Sequence, residues 1–322
     1  MPIEIDRRRF MGGAGVVTLA TLAGVRPGLG ASQPLTIAVS VPSLSFPWYV
    51  HMQKAFQDEA KAVGDINLII IDGENSAPKQ TADVESAVTQ KVNALIIAPI
   101  DINALSPALE QAIAAGIPVI TVDRQAKDVD GILYHVGADN TKGGEVQGQA
   151  VIADFPNGAK IFNLQGQPGA GPAIDRNRGL HQALDADKTK YQIVFEQTAN
   201  FARADALSVT EAGLTAQGVP DVIVAANDDM ALGAIEALKG RNVTSVAVYG
   251  FDALPEALKA IRAGDQRATI EQSPGAQCRQ ALRAAVVFLR EGKKPEQQVE
   301  LLTPFVIRKD TIDKAERIGE AG

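Results

Sequence analysis

Short apolar runs and amphipathic segments alternate along the chain from residue 35 onward. Runs that are apolar on both faces predict parallel strands covered by helices, and apolar positions at helical spacing predict the helices. The first half contains predicted strands at 35–41, 67–72, 94–98 and 118–122, and predicted helices at 48–63, 77–91 and 104–115. This alternation is typical of a doubly wound α/β sheet.

The alternation restarts after Gly137 and predicts a second unit of similar plan. Its predicted strands are 159–164, 191–197, 221–225, 245–249 and 267–270, and its predicted helices are 140–153, 172–187, 202–217, 229–239 and 255–263. A last helix at 275–290 and the apolar run 299–302 are expected to return to the first unit. Because no Pro/Gly/Ser-rich linker separates the units, we expect several close crossings instead of one tether.

Polar side chains stand where several predicted strands end. They are Asp123, Arg124, Asn227, Asp252 and Gln272. The carboxyl ends of parallel strands are where open α/β sheets bind ligands. Amides, carboxylates and a guanidinium in that place favour a ligand rich in hydroxyls. Asp228 and Asp229 are expected to cap the following helix, while Asn227 faces the ligand.

The bulk composition excludes several classes of function. The chain has 322 residues, with 31 Lys and Arg against 38 Asp and Glu; residues 1–31 hold four and two of these, which leaves a body of charge −9. An acidic body without a basic stripe argues against nucleic acid as a partner. The single Cys278 excludes an internal disulfide and is expected to be a small buried hydrophobe.

Nothing in the sequence indicates bond-making chemistry. The three histidines are not spaced as metal ligands, and no Ser-His-Asp or Cys-His arrangement accompanies the polar strand ends. We therefore expect no cofactor, no metal and no enzymatic activity. The chain is long enough for two domains with a sizeable core.

The N-terminus predicts an export signal over residues 1–31. Arg7, Arg8 and Arg9 precede a weakly apolar stretch, which is followed by small residues. The paired arginines resemble the twin-arginine export motif, although Asp6 stands where a hydroxyl residue is usual. This signal predicts a soluble periplasmic protein after cleavage. An amphipathic or membrane-anchoring helix is the alternative.

Several segments resemble, in order, the ribose-binding-protein family of periplasmic sugar receptors for ABC importers. They include Thr121 to Ala126, Leu164 to Gly166, Asn227 to Ala234, Gly250 to Asp252 and Ala268 to Ile270. The resemblance covers residues 34–308. It implies a type I periplasmic binding protein: a monomer with two doubly wound parallel-sheet lobes, joined by three crossing segments near Gly137, Gln272 and Leu302. The lobes would be 34–137 with 273–302, and 138–272 with 303–322.

Carried over by position, the resemblance predicts the residues that contact the sugar. They are Asp123, Arg124, Arg176, Phe201, Asn227, Asp252 and Gln272, with the aromatic pair Trp48 and Tyr49. Pro42 and Phe46 depart from the family, which has a hydroxyl and an amide there. This departure predicts a pocket that satisfies hydroxyls poorly on one side, with Phe46 against the ligand.

The predicted residue types suit a sugar. Carboxylates accept hydrogen bonds, guanidinium groups donate them and amides do both, while aromatic rings pack on C–H faces. The two arginines are expected to keep Asp123 and Asp252 ionised and poorly basic. For single residues, salt bridges between lobes remain an alternative interpretation.

The leading hypothesis is a receptor that captures a monosaccharide or sugar alcohol and delivers it to the membrane permease of an ABC importer. A sugar-responsive regulator would share the fold but would need an N-terminal DNA-binding segment. An exported carbohydrate-active enzyme would need a nucleophile or an acid/base pair. The sequence does not identify the sugar.

Overall fold

A computed structural model describes residues 33–321, so the predicted export signal lies outside the described residues. The first lobe is built on a six-stranded parallel sheet. Its strands are β1 (Leu35–Val41), β2 (Ile66–Asp72), β3 (Ala94–Ile97), β4 (Val119–Val122), β5 (Tyr134–Ala138) and β11 (Val299–Leu302). Their order is β11-β5-β4-β3-β1-β2, and β11 closes one edge by pairing with β5.

Helices cover both faces of this sheet. Helices α1 (Pro47–Val63) and α9 (Pro274–Glu291) pack on one face, where Met52, Phe56 and Leu282 are fully buried. Helices α2 (Ala77–Thr89) and α3 (Ser106–Ala114) pack on the other. Burial of both faces explains the unbroken apolar runs from which the strands were predicted. Cys278 lies fully buried on α9, as expected for a small hydrophobe.

The second lobe repeats the plan on a four-stranded parallel sheet. Its strands are β6 (Ala159–Gln165), β7 (Tyr191–Thr198), β8 (Val222–Ala225) and β9 (Ala247–Tyr249), in the order β7-β6-β8-β9. Its helices are α4 (Asn140–Asp154), α5 (Gly171–Leu184), α6 (Arg203–Gln217), α7 (Asp228–Gly240) and α8 (Pro255–Ala263). The predicted two-lobe α/β fold is confirmed. Among residues 33–321, none of the helices combines the length and apolarity needed to cross a bilayer.

One edge of the second lobe departs from a purely parallel arrangement. Strand β10 (Thr269–Glu271) pairs antiparallel with β12 (Phe305–Ile307), and one parallel bridge joins Tyr249 to Ala268. Strands β5 and β12 were not predicted. Strand β5 contains His135 and Gly137, which interrupt its apolar character, and β12 has only three residues.

The chain passes between the lobes at three places. Strand β5 leads into α4 through Asp139, β10 leads into α9 through Gln272 and Ser273, and β11 leads into β12 through Thr303 and Pro304. Ser273 has a φ of 55°, a left-handed conformation that is costly for a residue with a side chain. The proposed residue boundaries of the two lobes are compatible with these passages and stay a prediction.

Helices α4 and α5 approach each other backbone to backbone. A Cβ on Gly144 would lie 2.9 Å from the Leu180 nitrogen and closer still to the Arg176 carbonyl oxygen. A Cβ on Gly179 would collide with the Thr141 carbonyl oxygen. Glycine at these positions therefore sets the separation of the two helices. Because Arg176 lies on α5, the same separation determines where its side chain lies relative to α4.

A candidate ligand site between the two lobes

All ten residues that the sequence predicts for the ligand site line one cavity. They are Phe46, Trp48, Tyr49, Asp123, Arg124, Arg176, Phe201, Asn227, Asp252 and Gln272, joined by Pro172. The cavity has a volume of about 30 Å³ and takes its lining from both lobes.

The lobes are closed against each other around this cavity. The Ile102 nitrogen donates to the Gly169 oxygen at 3.2 Å, and Gln167 Nε2 donates to Asn75 Oδ1 at 2.9 Å. A wider side cavity of about 440 Å³ lies next to it, and the two share Asp123 in their walls. These contacts join loops at the carboxyl ends of strands in both sheets, so the site lies where the open-sheet rule places it.

The first lobe supplies a carboxylate, a guanidinium and a phenol. Tyr49 donates its hydroxyl proton to Asp123 Oδ2 at 2.7 Å. Arg124 donates from Nη1 to the Ile100 oxygen at 2.9 Å, while its buried Nε has no hydrogen-bond partner within the described residues. Because a buried unpaired donor is costly, Arg124 Nε is a natural place for a ligand hydroxyl.

The second lobe supplies a guanidinium held from three sides. Arg176 donates from Nε to Asn140 Oδ1 at 2.8 Å and from Nη1 to the Ala226 oxygen at 2.8 Å. Its Nη1 lies 3.4 Å from Asp252 Oδ1, which also accepts from Gln272 Nε2 at 2.6 Å. Gln272 Oε1 is buried and unpaired among residues 33–321.

The helix cap predicted for Asp228 and Asp229 is wrong. Asn227 is the N-cap of α7, because its Oδ1 accepts from the Met230 nitrogen at 2.9 Å. Asp228 is fully buried and accepts from the Leu254 nitrogen, Gln266 and Thr269. Asp229 pairs with Arg203 at 3.0 Å. Asn227 still lines the cavity, with Nδ2 donating to the Phe201 oxygen at 3.3 Å.

Four aromatic rings complete the lining. Phe46 and Tyr49 meet edge to face with ring centroids 6.4 Å apart, and the Arg124 and Arg176 guanidinium groups lie 5.7 Å and 5.9 Å from the Phe201 ring. Phe46 packs against the cores of both lobes. Pro42 is not among the lining residues, so the expectation that it forms part of the pocket wall is wrong, and Phe46 alone carries that departure from the family.

Three lining residues have left-handed backbone conformations. Asp123 has a φ of 61°, Phe201 of 60° and Asp252 of 107°. Such conformations cost about 1–3 kcal/mol each and cluster at functional sites. They turn the chain sharply at the strand ends, and sequence patterns did not predict them.

Burial dominates the electrostatics of the site. It raises the pKa of Asp123, and it raises the pKa of Asp252 well above the ordinary range, although Arg124 and Arg176 oppose the shifts. Burial also lowers the pKa of Arg176. The expectation that the arginines keep both carboxyls at low pKa is therefore wrong in direction.

Sequence reasoning missed two residues at the site. Pro172 lines the cavity from the first turn of α5, and Asn140 fixes Arg176 from the first residue of α4. The position of Asn140 at the start of a predicted helix, next to a predicted crossing, was the available signal. Within residues 33–321, no group of three or more His, Cys, Asp or Glu side chains is placed to hold a metal ion.

A family model described as a periplasmic binding protein domain matches residues 37–294. The chain belongs to this family of periplasmic binding proteins. The expectation of a ribose-binding-like, type I member is confirmed by the relatives described next.

Three proteins similar to this binding protein are named for different ligands. Ribose import binding protein RbsB of Bacillus subtilis is 39% identical over 84% of this chain and 86% of its own length. The xylitol-binding protein of Mycolicibacterium smegmatis is 29% identical over 81% and 76%. The crystal structure of the Caulobacter myo-inositol binding protein, with myo-inositol bound, superimposes with a TM-score of 0.86 at 38% identity and covers 90% and 98%.

Proposed function

We propose that this protein captures a monosaccharide or sugar alcohol between its two lobes and delivers it to the membrane permease of an ABC importer. The observation that carries the proposal is that all ten predicted residues line one interlobe cavity. The relatives are binding proteins for ribose, xylitol and myo-inositol, which are all small neutral molecules rich in hydroxyls.

The lining supports this ligand class. Arg124 Nε offers a donor and Gln272 Oε1 offers an acceptor, and both lack a hydrogen-bond partner among the described residues. A hydroxyl group satisfies either, since it donates and accepts. Trp48, Tyr49 and Phe201 provide apolar surface for C–H faces.

Phe46 restricts which sugars or polyols we expect the cavity to prefer. Its ring cannot pair with a hydroxyl, and a hydroxyl buried against it would lose affinity. We propose that the preferred ligand turns a C–H face or a methyl group toward Phe46 and Trp48. Deoxy sugars, pentose epimers other than ribose, and short polyols fit this requirement.

We further propose that the protein is exported with the twin-arginine signal in residues 1–31 and acts as a soluble monomer in the periplasm. The order of arginines, apolar stretch and small residues supports the signal. The family supports a periplasmic location. The permease is the membrane partner under this proposal.

The test is a thermal-shift screen of the mature chain against D-ribose, L-arabinose, 2-deoxy-D-ribose, xylitol and myo-inositol. A ligand at ~100 times its dissociation constant stabilises the folded state by ~2.7 kcal/mol. Trp48 is the only tryptophan in the chain and lies in the lining, so its fluorescence provides a second titration signal. Absence of any shift across such a panel would refute the ligand class. Conversion of a bound sugar to product would favour the enzyme hypothesis.

The site itself is tested by Arg176→Ala against Arg178→Ala. Both residues lie on α5, but Arg178 is exposed and bonds to Thr141 and Asp175 outside the cavity lining. We expect Arg176→Ala to weaken binding by about 2–4 kcal/mol, because it leaves the buried Asp252 without its ion-pair partner. Arg178→Ala is expected to bind normally. Equal affinities of the two variants, measured by calorimetry, would remove Arg176 from the site.

A further inference from the structure

Asn140 lies at the first crossing, where β5 leads into α4, and its amide forms one bond to that crossing and one to Arg176 in the cavity lining. Its Nδ2 donates to the Ala138 oxygen at 3.2 Å, and its Oδ1 accepts from Arg176 Nε at 2.8 Å. Ala138 is the last residue of β5 in the first lobe, and Asn140 is the first residue of α4 in the second. Asn140 is buried, with 7% of its surface exposed, so water does not compete strongly for either bond.

The second crossing contacts the ion pair that Arg176 forms with Asp252. Gln272, between β10 and α9, donates to Asp252 Oδ1 at 2.6 Å, and Asp252 Oδ1 lies 3.4 Å from Arg176 Nη1. The Arg176–Asp252 pair is thus held by one amide from each of two crossings. Any change of backbone angle between Ala138 and Asn140 alters the bond from Asn140 Nδ2 to the Ala138 oxygen, and so loosens the amide that also accepts from Arg176 Nε.

We infer that Asn140 is a positioning residue that orients Arg176 and ties its orientation to the interlobe hinge. This inference rests on the proposed function, in which Arg176 contacts the ligand. A ligand that fixes Arg176 then also fixes the first crossing in its closed geometry. Conversely, opening at this crossing breaks the bond from Asn140 Nδ2 to the Ala138 oxygen, so the amide that aligns the guanidinium is held less firmly when the lobes are open.

Two substitutions separate the role of the amide donor, Asn140 Nδ2, from that of the acceptor, Asn140 Oδ1. Asn140→Asp keeps an oxygen for Arg176 Nε but loses the donor to the Ala138 oxygen, and Asn140→Ala loses both. Thr141→Ala is the matched control, because Thr141 is the next residue of α4 and its side chain bonds only to the exposed Arg178 within the described residues. Arg176→Ala, added to the set, tests the site itself.

Affinity is measured by calorimetry with myo-inositol and with D-ribose. We expect Asn140→Ala to bind about tenfold more weakly, since one bond to a charged group is lost. Asn140→Asp is expected to stay within about threefold of the unchanged protein, because a carboxylate oxygen is a strong acceptor for a guanidinium. Asn140→Asp as weak as Asn140→Ala, or Asn140→Ala at full affinity, would overturn the positioning role.

The link to the hinge is measured without ligand, so it is decided even if neither sugar binds. Spin labels on Ala82→Cys in α2 and Ala216→Cys in α6 report the interlobe distance; both positions are exposed, and the native Cys278 is fully buried. We expect both Asn140 variants to broaden the distance distribution and Thr141→Ala to leave it unchanged. Unchanged distributions in both Asn140 variants would overturn the coupling.

These outcomes separate the inference from the proposed function. If Arg176→Ala binds both sugars normally, Arg176 is not a ligand contact and the proposed site fails. If Arg176→Ala loses affinity while Asn140→Ala does not, the site stands and the role of Asn140 fails. Thermal melting of each variant distinguishes lost folding from lost positioning.

Discussion

Gly144→Ala tests whether the spacing of α4 and α5 places the Arg176 guanidinium in the proposed site. The new Cβ would lie 2.9 Å from the Leu180 nitrogen and nearer to the Arg176 carbonyl oxygen, whereas ordinary contact begins at 3.4 Å. The helices must therefore separate by about 0.5 Å or more, because backbone atoms cannot rotate away. Overpacking of this kind costs about 1–3 kcal/mol.

The displacement falls on Arg176 itself, whose Nε and Nη1 bonds to Asn140 and Ala226 are both 2.8 Å long. We expect a melting temperature lower by about 2–10 °C and ligand affinity lower by about tenfold, the equivalent of about one hydrogen bond to a charged group. Differential scanning calorimetry and isothermal titration measure the two effects on the same preparation.

Gly240→Ala is the matched control. Gly240 ends α7, and an added Cβ there meets no atom within 4 Å. The higher helix propensity of alanine makes this variant neutral or more stable by up to about 1 kcal/mol. Gly144→Ala with unchanged melting and unchanged affinity would refute the reasoning that backbone contact fixes the helix spacing.

Three further predictions concern stability, strain and export. Burial raises the pKa of Asp228 to about 7, so the folded state binds its proton more tightly than the unfolded state does. Stability therefore falls as pH rises from about 4 to 7, by at most about 1.4 kcal/mol per unit, and urea titrations should show a smaller fall in Asp228→Asn. Ser273→Gly relieves a left-handed residue and should raise the unfolding free energy by up to about 1 kcal/mol, whereas a loss would show that the side chain compensates the strain. Arg7→Lys with Arg8→Lys should leave the precursor in the cytoplasm, and normal periplasmic accumulation in fractionated cells would contradict the twin-arginine assignment.

Most of the fold followed from the sequence because both sheets are parallel and covered. Strand β1 and helix α8 have the bounds that the apolar patterns predicted. Strand β5 escaped because His135 and Gly137 break its pattern, and its stability comes from pairing with β4 and β11. Such tertiary pairing is not encoded in a local window.

The site was predicted by residue type, but its internal bonding was not. The cavity gathers Asp123, Arg176 and Asp252, yet the dominance of burial over ion pairing in their pKa values depends on three-dimensional packing. Asn227 as helix cap also required the observed geometry, since Asp228 is an equally good cap by type. Asn140 was missed because its role depends on a side chain 36 positions away.

The three passages of the chain between the lobes have a consequence for biosynthesis. Strand β11 and helix α9 complete the first sheet, and Glu300 accepts a hydrogen bond from Tyr134, which is 166 positions earlier. A ribosome that has made only the N-terminal half has therefore not supplied a complete first lobe, and the usual order of domain-by-domain folding is closed to this chain. Both lobes become complete only after β11 and β12 have been made, so deletion of these two strands should damage the two lobes together.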